Sequence, residues 1–465
     1  MLEVKNKKAL VMGLGSLGGG IATTKWLVKQ GARVTVTDLK TKEELDSSIK
    51  ALGKIAKKVK FVLGKHRLID FKKNEIIVVN PAVPRESFYL KLAQKNKAFL
   101  ENEASLFFRY CQNPIIAVTG TRGKTTTVNW LYHLLKQKYK KTVLTGNSSN
   151  KPMLKILDSL DSKSPVIVEL SSWHCEFLPK AKVGPRVAVI TNLYPDHLNR
   201  YRGMKDYFLA KANIFINQTK DDFLFLNKNS FWLKKFSKLI KPKSKIVYFP
   251  KPVGFSLDSF KKKYGEHNFY NLNVAILIAK HFQVPLSKIK KAIRNLPVVS
   301  YRQEVVFKKK NFQIINDSAA TSPDATIAAL KRFSKQKEEL ILIAGGTDKK
   351  LCFKQWAVIV KKCIKPENLF LINGSATQKM IKNLKKIDFF KENKPQLFED
   401  IYNLLKEIKK NKLKIKIKNS KGFRSGLSLK RFTILFSPGA ASFEKFKNEF
   451  DRGEKFNKYI KSLFS

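Results

Sequence analysis

The stretch IIAVTGTRGKTTTVNWLYHLL, residues 115–135, decides how the rest is read. An apolar run ends in a small Gly-containing turn, then Lys124 and three threonines, then an amphipathic run. This is the order strand, phosphate loop, helix. The general G-x-x-x-x-G-K-[ST] pattern is incomplete, because position 118 is Val. The mechanics survive: backbone N–H groups from 121 to 126 are placed to cradle phosphates, Lys124 to neutralise the β- and γ-oxygens, and Thr125 to offer its hydroxyl to Mg²⁺. The expected nucleotide contacts are Gly120, Thr121, Arg122, Gly123, Lys124, Thr125 and Thr126.

Outward from this loop, short Val- and Ile-rich runs alternate with longer helical patterns. Among them are KALVMGLG (8–15), NEIIVVNP (74–81), SPVIVEL (164–170), RVAVITN (186–192), ELILIAGG (339–346) and NLFLING (368–374). Nearly continuous apolar strands imply sheets covered on both faces, and the alternation implies doubly wound α/β domains. The 465 residues suit about three such domains. Boundaries near 112 and 298 give domains at 1–112, 113–298 and 299–465. The Lys-rich stretch 404–421 reads as solvated helix or loop.

Composition sets limits. The chain is 43% hydrophobic and 28% charged, as globular proteins are. Four cysteines without a CxxC pair indicate a reducing compartment. No apolar run approaches the ~20 residues of a membrane span. The glycines in the N-terminal apolar run argue against a signal peptide, so a cytoplasmic protein is expected. The net charge is +56. A nucleic-acid partner is one reading; a biased genome, which also explains 34 Phe and the even spread of Lys, is the preferred one. No specific nucleic acid or membrane insertion is expected, and a monomer is.

Other motifs sit at strand ends. Gly13, Gly15 and Gly18 form a GxGxxG after the first strand, and Asp38 ends the next. This fits a dinucleotide or nucleotide-diphosphate site, with a plain tight turn as the alternative. A dehydrogenase has no use for a triphosphate loop, which weakens that reading. Glu169 ends an apolar strand and is either paired or a metal ligand. Asp196 and His197 follow another strand. Lys211, in a helical pattern, reads on its own as a solvated lysine. Asn268 and Asn271 share a helix face, fit for an adenine edge or for capping.

Taken in order, GTRGKTT, ELSSW, NLYPDHLNRY, AKANIF, EHNFYN, SYRQEV, INDSAAT, GGTDK and SPGAASFEKFKNEFDRGEKF make the chain resemble the Mur ligases. These are ATP-dependent amide-forming enzymes of peptidoglycan precursor synthesis. ELSSW and the last motif point to the D-glutamate-adding branch; a related ligase adding another amino acid is the alternative. The resemblance implies three doubly wound domains and transfer of the γ-phosphate of ATP to the carboxylate of UDP-N-acetylmuramoyl-L-alanine. D-Glutamate then displaces the phosphate, and two Mg²⁺ ions assist.

By the same resemblance, Gly13, Gly15, Ser16, Leu17, Asp38, Asn80 and Asn147 would bind the UDP substrate. Asn268, Asn271, Arg302 and Asp317 would contact ATP. Thr125, Glu169, His197 and Lys211, the last through a carbamate, would hold metal. Lys124, His197 and Lys211 would be catalytic. Thr321, Lys349 and Ser442 would take the amino acid. Departures from the family pattern are Ala319 where many members have Lys, Asn199 for Asp, His174 for Gln, and GNSSN for G-N-I-G.

Overall fold

The carboxyl end of each apolar run was expected to carry the chemistry, so strand order is what positions the site. A computed structural model describes residues 2–15, 18–147, 151–335, 338–413 and 431–464. The expected contacts Ser16 and Leu17, and part of the Lys-rich stretch, lie outside them.

The chain forms an α/β fold of three sheets. In the first, β1 (Lys8–Met12), β2 (Arg33–Asp38), β3 (Val59–Leu63), β4 (Ile76–Val79) and β5 (Phe99–Glu101) run parallel in the order β3-β2-β1-β4-β5. Strand order reverses between β1 and β4, which opens a crevice at their carboxyl ends. The second sheet holds β6 (Ile115–Thr119), β7 (Val143–Gly146), β8 (Val166–Glu169), β9 (Val187–Ile190), β10 (Phe223–Asn227) and β11 (Lys245–Phe249). Its order is β11-β10-β9-β6-β8-β7, all parallel. The third holds β12 (Glu304–Lys309), β13 (Phe312–Asn316), β14 (Glu339–Gly345), β15 (Leu369–Ile372), β16 (Gln396–Phe398) and β17 (Phe432–Phe436), ordered β12-β13-β17-β14-β15-β16. Here the expectation of parallel strands fails at one edge: β12 pairs antiparallel with β13 as a hairpin.

Two-faced burial explains the continuous apolar runs. In β1, Ala9 and Val11 join one core with Trp26 and Leu27, while Leu10 and Met12 join another with Phe71 and Leu90. In β14, Leu340 and Leu342 pack with Trp356 and Met380, and Ile341 and Ile343 with Leu404 and Phe456. The helix Ile401–Ile408 corrects part of the Lys-rich reading: Ile401, Leu404, Leu405 and Ile408 are buried along one stripe.

The chain divides into two compact units. One comprises Met1–Leu193, Arg200–Phe255 and Tyr270–Pro297 and contains the first two sheets. A single apolar cluster runs through both, joined by Leu106, Phe107 and Phe108 of the helix Glu103–Tyr110. The other comprises Tyr194–Asn199, Ser256–Phe269 and Val298–Ser465 and contains the third sheet. Among the described residues no helix is long and apolar enough to cross a membrane.

Candidate active site

In the first unit, β6 lies between β9 and β8, so the three loops leaving their carboxyl ends are neighbours. The loop after β6 needs its glycines. Gly120 has φ 145°, and a Cβ there would sit 1.9 Å from Thr191 Oγ1. Gly123 has φ 79° and caps the helix Lys124–Leu135; a Cβ would lie 2.3 Å from Asn271 Oδ1. The first intrahelical bond runs from Thr127 N to Gly123 O. The N–H groups before it form the positive end of the helix, where anions bind.

One expectation narrows. The N–H groups of Thr121 and Arg122 do not open onto a phosphate cradle. They donate to the carbonyl (3.0 Å) and to the side-chain Oδ1 (2.9 Å) of Asn192. Asn192 Nδ2 and Thr191 Oγ1 in turn donate to Arg122 O, at 3.0 and 2.6 Å. Asn192 thus pins the loop from the end of β9. The sequence reading missed it, since a lone Asn at a strand end has no pattern. The expected cradle narrows to residues 123–126.

Lys124 Nζ donates to Thr121 O at 3.2 Å, folded back over its own loop. Thr125 Oγ1 donates to Glu169 Oε1 at 3.1 Å. Glu169 is buried at the end of β8, so a hydroxyl and a carboxylate oxygen converge at one strand end. Hard divalent cations take such a donor pair. Lys211 corrects the solvated-lysine reading: it is 2% exposed. Its Nζ donates to Gly120 O at 2.9 Å and lies 4.7 Å from the Tyr207 ring centroid. Asn271 is also buried and accepts from Thr127 Oγ1 at 3.4 Å, beneath the phosphate loop. Asn147 follows β7, its N–H bonded to Glu169 O at 2.9 Å.

His174, one of the departures, has a structural explanation. Ser171 and His174 form a capping box: the His174 N–H donates to Ser171 Oγ, and the imidazole meets Ser171 Oγ at 2.8 Å. Gln commonly fills that third position for the same reason. Burial pushes the imidazole down to about 4, keeping it neutral.

At the switch point of the first sheet, Gly13 (φ 92°) faces Asn80, whose Cβ would be 2.8 Å from an added Cβ. Asn80 Nδ2 donates to Gly13 O at 3.3 Å. Asp38 accepts from Gly15 N at 3.2 Å and from Lys40 N at 3.0 Å. The expected substrate contacts Gly13, Gly15, Asp38 and Asn80 therefore form one crevice. The turn 82–83 is tied down by Arg200, which sequence reading also missed. Its NH2 group donates to Val83 O at 3.0 Å and to Glu176 at 2.7 Å, and it stacks 4.7 Å from the Trp173 ring.

In the second unit, Lys349 Nζ lies 3.4 Å from Thr321 Oγ1 and 3.5 Å from Asp196 Oδ1. His197 belongs to this unit too, at φ 54°, with its Nε2 3.9 Å from Asp196 Oδ2. Asp317 is buried at the end of β13. Its oxygens accept from Gln303 N (3.1 Å) and Ser437 Oγ (2.8 Å), and burial pushes its carboxyl up to about 7. Arg302 donates to Ser300 O at 3.0 Å and stacks over Phe450. Asn268 Nδ2 donates to Tyr264 O at 3.1 Å, a bond of the capping kind. The Ser442 hydroxyl is buried without a hydrogen-bond partner among the described residues, in a small pocket beside Gly346, Thr347 and Arg452.

Comparison with known proteins gives the family. Residues 118–269 match the model of the Mur ligase middle domain, and residues 7–99 that of the Mur ligase MurD-like N-terminal domain. The UDP-N-acetylmuramoylalanine–D-glutamate ligase of Borreliella afzelii is 36% identical over 482 residues, covering 99% of each chain. That of Roseiflexus sp. is 34% identical over 491 residues, covering 99% of this chain and all of the relative. Among solved structures, MurF from Acinetobacter baumannii superposes with a TM-score of 0.57 at 15% identity, covering 99% of this chain and 91% of that one. The chain belongs to the Mur ligase family, in its MurD-like branch.

Proposed function

We propose that the protein joins D-glutamate to UDP-N-acetylmuramoyl-L-alanine with cleavage of ATP, in the cytoplasmic synthesis of peptidoglycan precursors. Domains at 1–112, 113–298 and 299–465 take the UDP substrate, ATP and the amino acid in turn. The full-length relatives support this reading. The observation that carries it is the meeting of Lys124, Thr125, Glu169 and Lys211 around the loop after β6.

A carboxylate is a poor acyl donor. The substrate carboxylate attacks the γ-phosphorus of ATP and ADP leaves, giving an acyl phosphate. The amine of D-glutamate attacks the acyl carbon, and phosphate departs. Two anions must meet in the first step. Lys124 and the helix N-terminus at 123–126 offset their repulsion and stabilise charge on the transferring group. The glycines at 120 and 123 let the loop pack against Thr191 and Asn271 and so set the helix N-terminus in place. Asn192 holds the loop in that shape before substrate arrives.

The Thr125 hydroxyl and the Glu169 carboxylate fit a Mg²⁺ ion. By the resemblance, His197, and Lys211 through a carbamate, would also be metal ligands. Mg²⁺, when bound, neutralises phosphate charge. Lys211 is 2% exposed beside the loop carbonyl of Gly120, where a carbamate would present oxygen donors in place of an ammonium. Asn268, Asn271, Arg302 and Asp317 take the nucleotide; Thr321, Lys349 and Ser442 take the carboxylates of D-glutamate. Ala319 stands where many members of the family have a lysine, and Lys349 is a cation of that pocket within this assignment.

The test is phosphate release from ATP with UDP-N-acetylmuramoyl-L-alanine and a panel of D- and L-amino acids. Turnover is expected only with D-glutamate and both co-substrates. Release without the UDP substrate, or with another amino acid alone, overturns the assignment.

A further inference from the structure

Asp196 has no part in the mechanism above, yet it is among the best-buried carboxylates of the second unit, at 2% exposure. It stands between two functional side chains. Its Oδ1 is 3.5 Å from Lys349 Nζ, and its Oδ2 is 3.9 Å from His197 Nε2. Its Oδ1 also accepts the backbone N–H of His197 at 2.9 Å, which fixes the carboxylate orientation. Lys349 reaches Thr321 Oγ1 at 3.4 Å from the other side. The Lys349 side chain is 22% exposed and that of Asp196 3%, so the cation forms the lip and the anion the floor.

An amino acid brings its own opposed charges, an ammonium and a carboxylate on one carbon. A receptor for such a zwitterion needs an anion and a cation a few ångströms apart. Each then takes its opposite while the two receptor groups still attract one another, so the four charges alternate around a ring. We propose that Asp196 is the receptor for the α-ammonium of the incoming amino acid, paired with Lys349 and Thr321 for a carboxylate. This rests on the amino-acid-ligase reading and adds the group that recognises the nucleophilic nitrogen. A buried carboxylate held by a lysine is a stable resting state without substrate. The ammonium then joins a pair already in place, so the site is ordered before it binds. The arrangement also gives selectivity: a dicarboxylate lacking nitrogen meets Lys349 favourably but sets nothing against Asp196.

Asp196→Asn separates these roles, because the amide oxygen still accepts the His197 N–H while the charge is lost. Binding of D-glutamate and of glutarate is measured by calorimetry on the full chain, saturated with UDP-N-acetylmuramoyl-L-alanine and a non-hydrolysable ATP analogue. The wild type is expected to prefer D-glutamate. In Asp196→Asn, D-glutamate affinity should fall by about tenfold or more, the loss of one charge-assisted bond. Glutarate affinity should stay or rise, and Asp196→Glu should recover part of the preference. An unchanged D-glutamate affinity, or equal losses for both ligands, overturns the proposal. Should the Asn variant unfold, Asp196→Ser is read by the same ratio. If wild-type enzyme releases no phosphate with D-glutamate, the substrate assignment has failed instead, and that outcome is read separately from the variant.

Discussion

Glu103 opens the helix Glu103–Tyr110 and is 8% exposed. Its Oε1 accepts from Leu154 N at 3.3 Å, and its Oε2 would lie 3.0 Å from a Cβ on Gly19, at the start of the helix after the GxGxxG loop. A carboxyl group thus sits between the first sheet's glycine loop and the backbone near 153–154. Burial pushes its pKa from 4.5 up to about 7, against the lowering effect of the Leu154 and Met153 N–H groups. The sign follows from linkage. Below pH 4.5 the group is protonated folded and unfolded and costs nothing. As pH rises from 4.5 to about 7, the unfolded chain ionises first, so stability is lost across that window and the loss is complete above it. At about 1.4 kcal/mol per pH unit, the full loss is about 3 kcal/mol. Glu103→Gln keeps the acceptor and removes the titration. Urea unfolding of both proteins should show the variant gaining about 2 to 3 kcal/mol over wild type between pH 5 and pH 8. A difference that is flat with pH, or a variant less stable at pH 8, would mean that the carboxylate is welcome between the two segments and would refute the reasoning.

The phosphate loop was legible because its glycines have physical work that no other residue does. Gly120 and Gly123 both adopt positive φ against a neighbour's side chain, so the loop carries its own signature. The same holds for Gly13 facing Asn80. Parallel strands were legible from two-faced burial, while the β12–β13 hairpin was not, because its exposed edge dilutes the apolar pattern. Lys211 was misread from local pattern alone. Tyr207, Phe208, Ala210 and Ala212 around it are all buried, so Lys211 lies on the covered part of the helix, while Lys205 is exposed. Resemblance, not periodicity, singled it out. Asn192 and Arg200 escaped notice, and Asp196 was read only with His197 as a metal or phosphate pair, for a different reason. Each acts on a partner distant in sequence, and Asp196 meets Lys349 across 153 positions. No local rule encodes such a meeting. The second unit itself gathers 194–199, 256–269 and 298–465, a grouping set by tertiary contact and invisible in composition.

Gly123→Ala places a Cβ 2.3 Å from Asn271 Oδ1 at φ 79°, so the helix start must shift; affinity for an ATP analogue should drop about tenfold or more, and unchanged binding by calorimetry would contradict the loop's role. Arg200→Ala leaves Glu176, whose side chain is 4% exposed, with the Tyr201 hydroxyl but without its cation; unfolding free energy should fall by about 3 kcal/mol, and a loss under about 1 kcal/mol would show that the pair is not a tie between the 82–83 turn and the second sheet. Lys211→Met fills the same buried volume with an apolar chain, so it should fold like wild type and yet lose turnover. The carbamate reading goes further, since the ammonium under Gly120 O first loses a proton and the amine then adds CO₂ with loss of a second, so that an anion replaces a cation. Wild-type activity should then fall in carbonate-free buffer and return with bicarbonate. ¹³C-bicarbonate should give a carbamate resonance that Lys211→Met lacks. Full activity without carbonate and no such resonance would leave Lys211 an ammonium, bonded to the loop carbonyl at 2.9 Å as it stands.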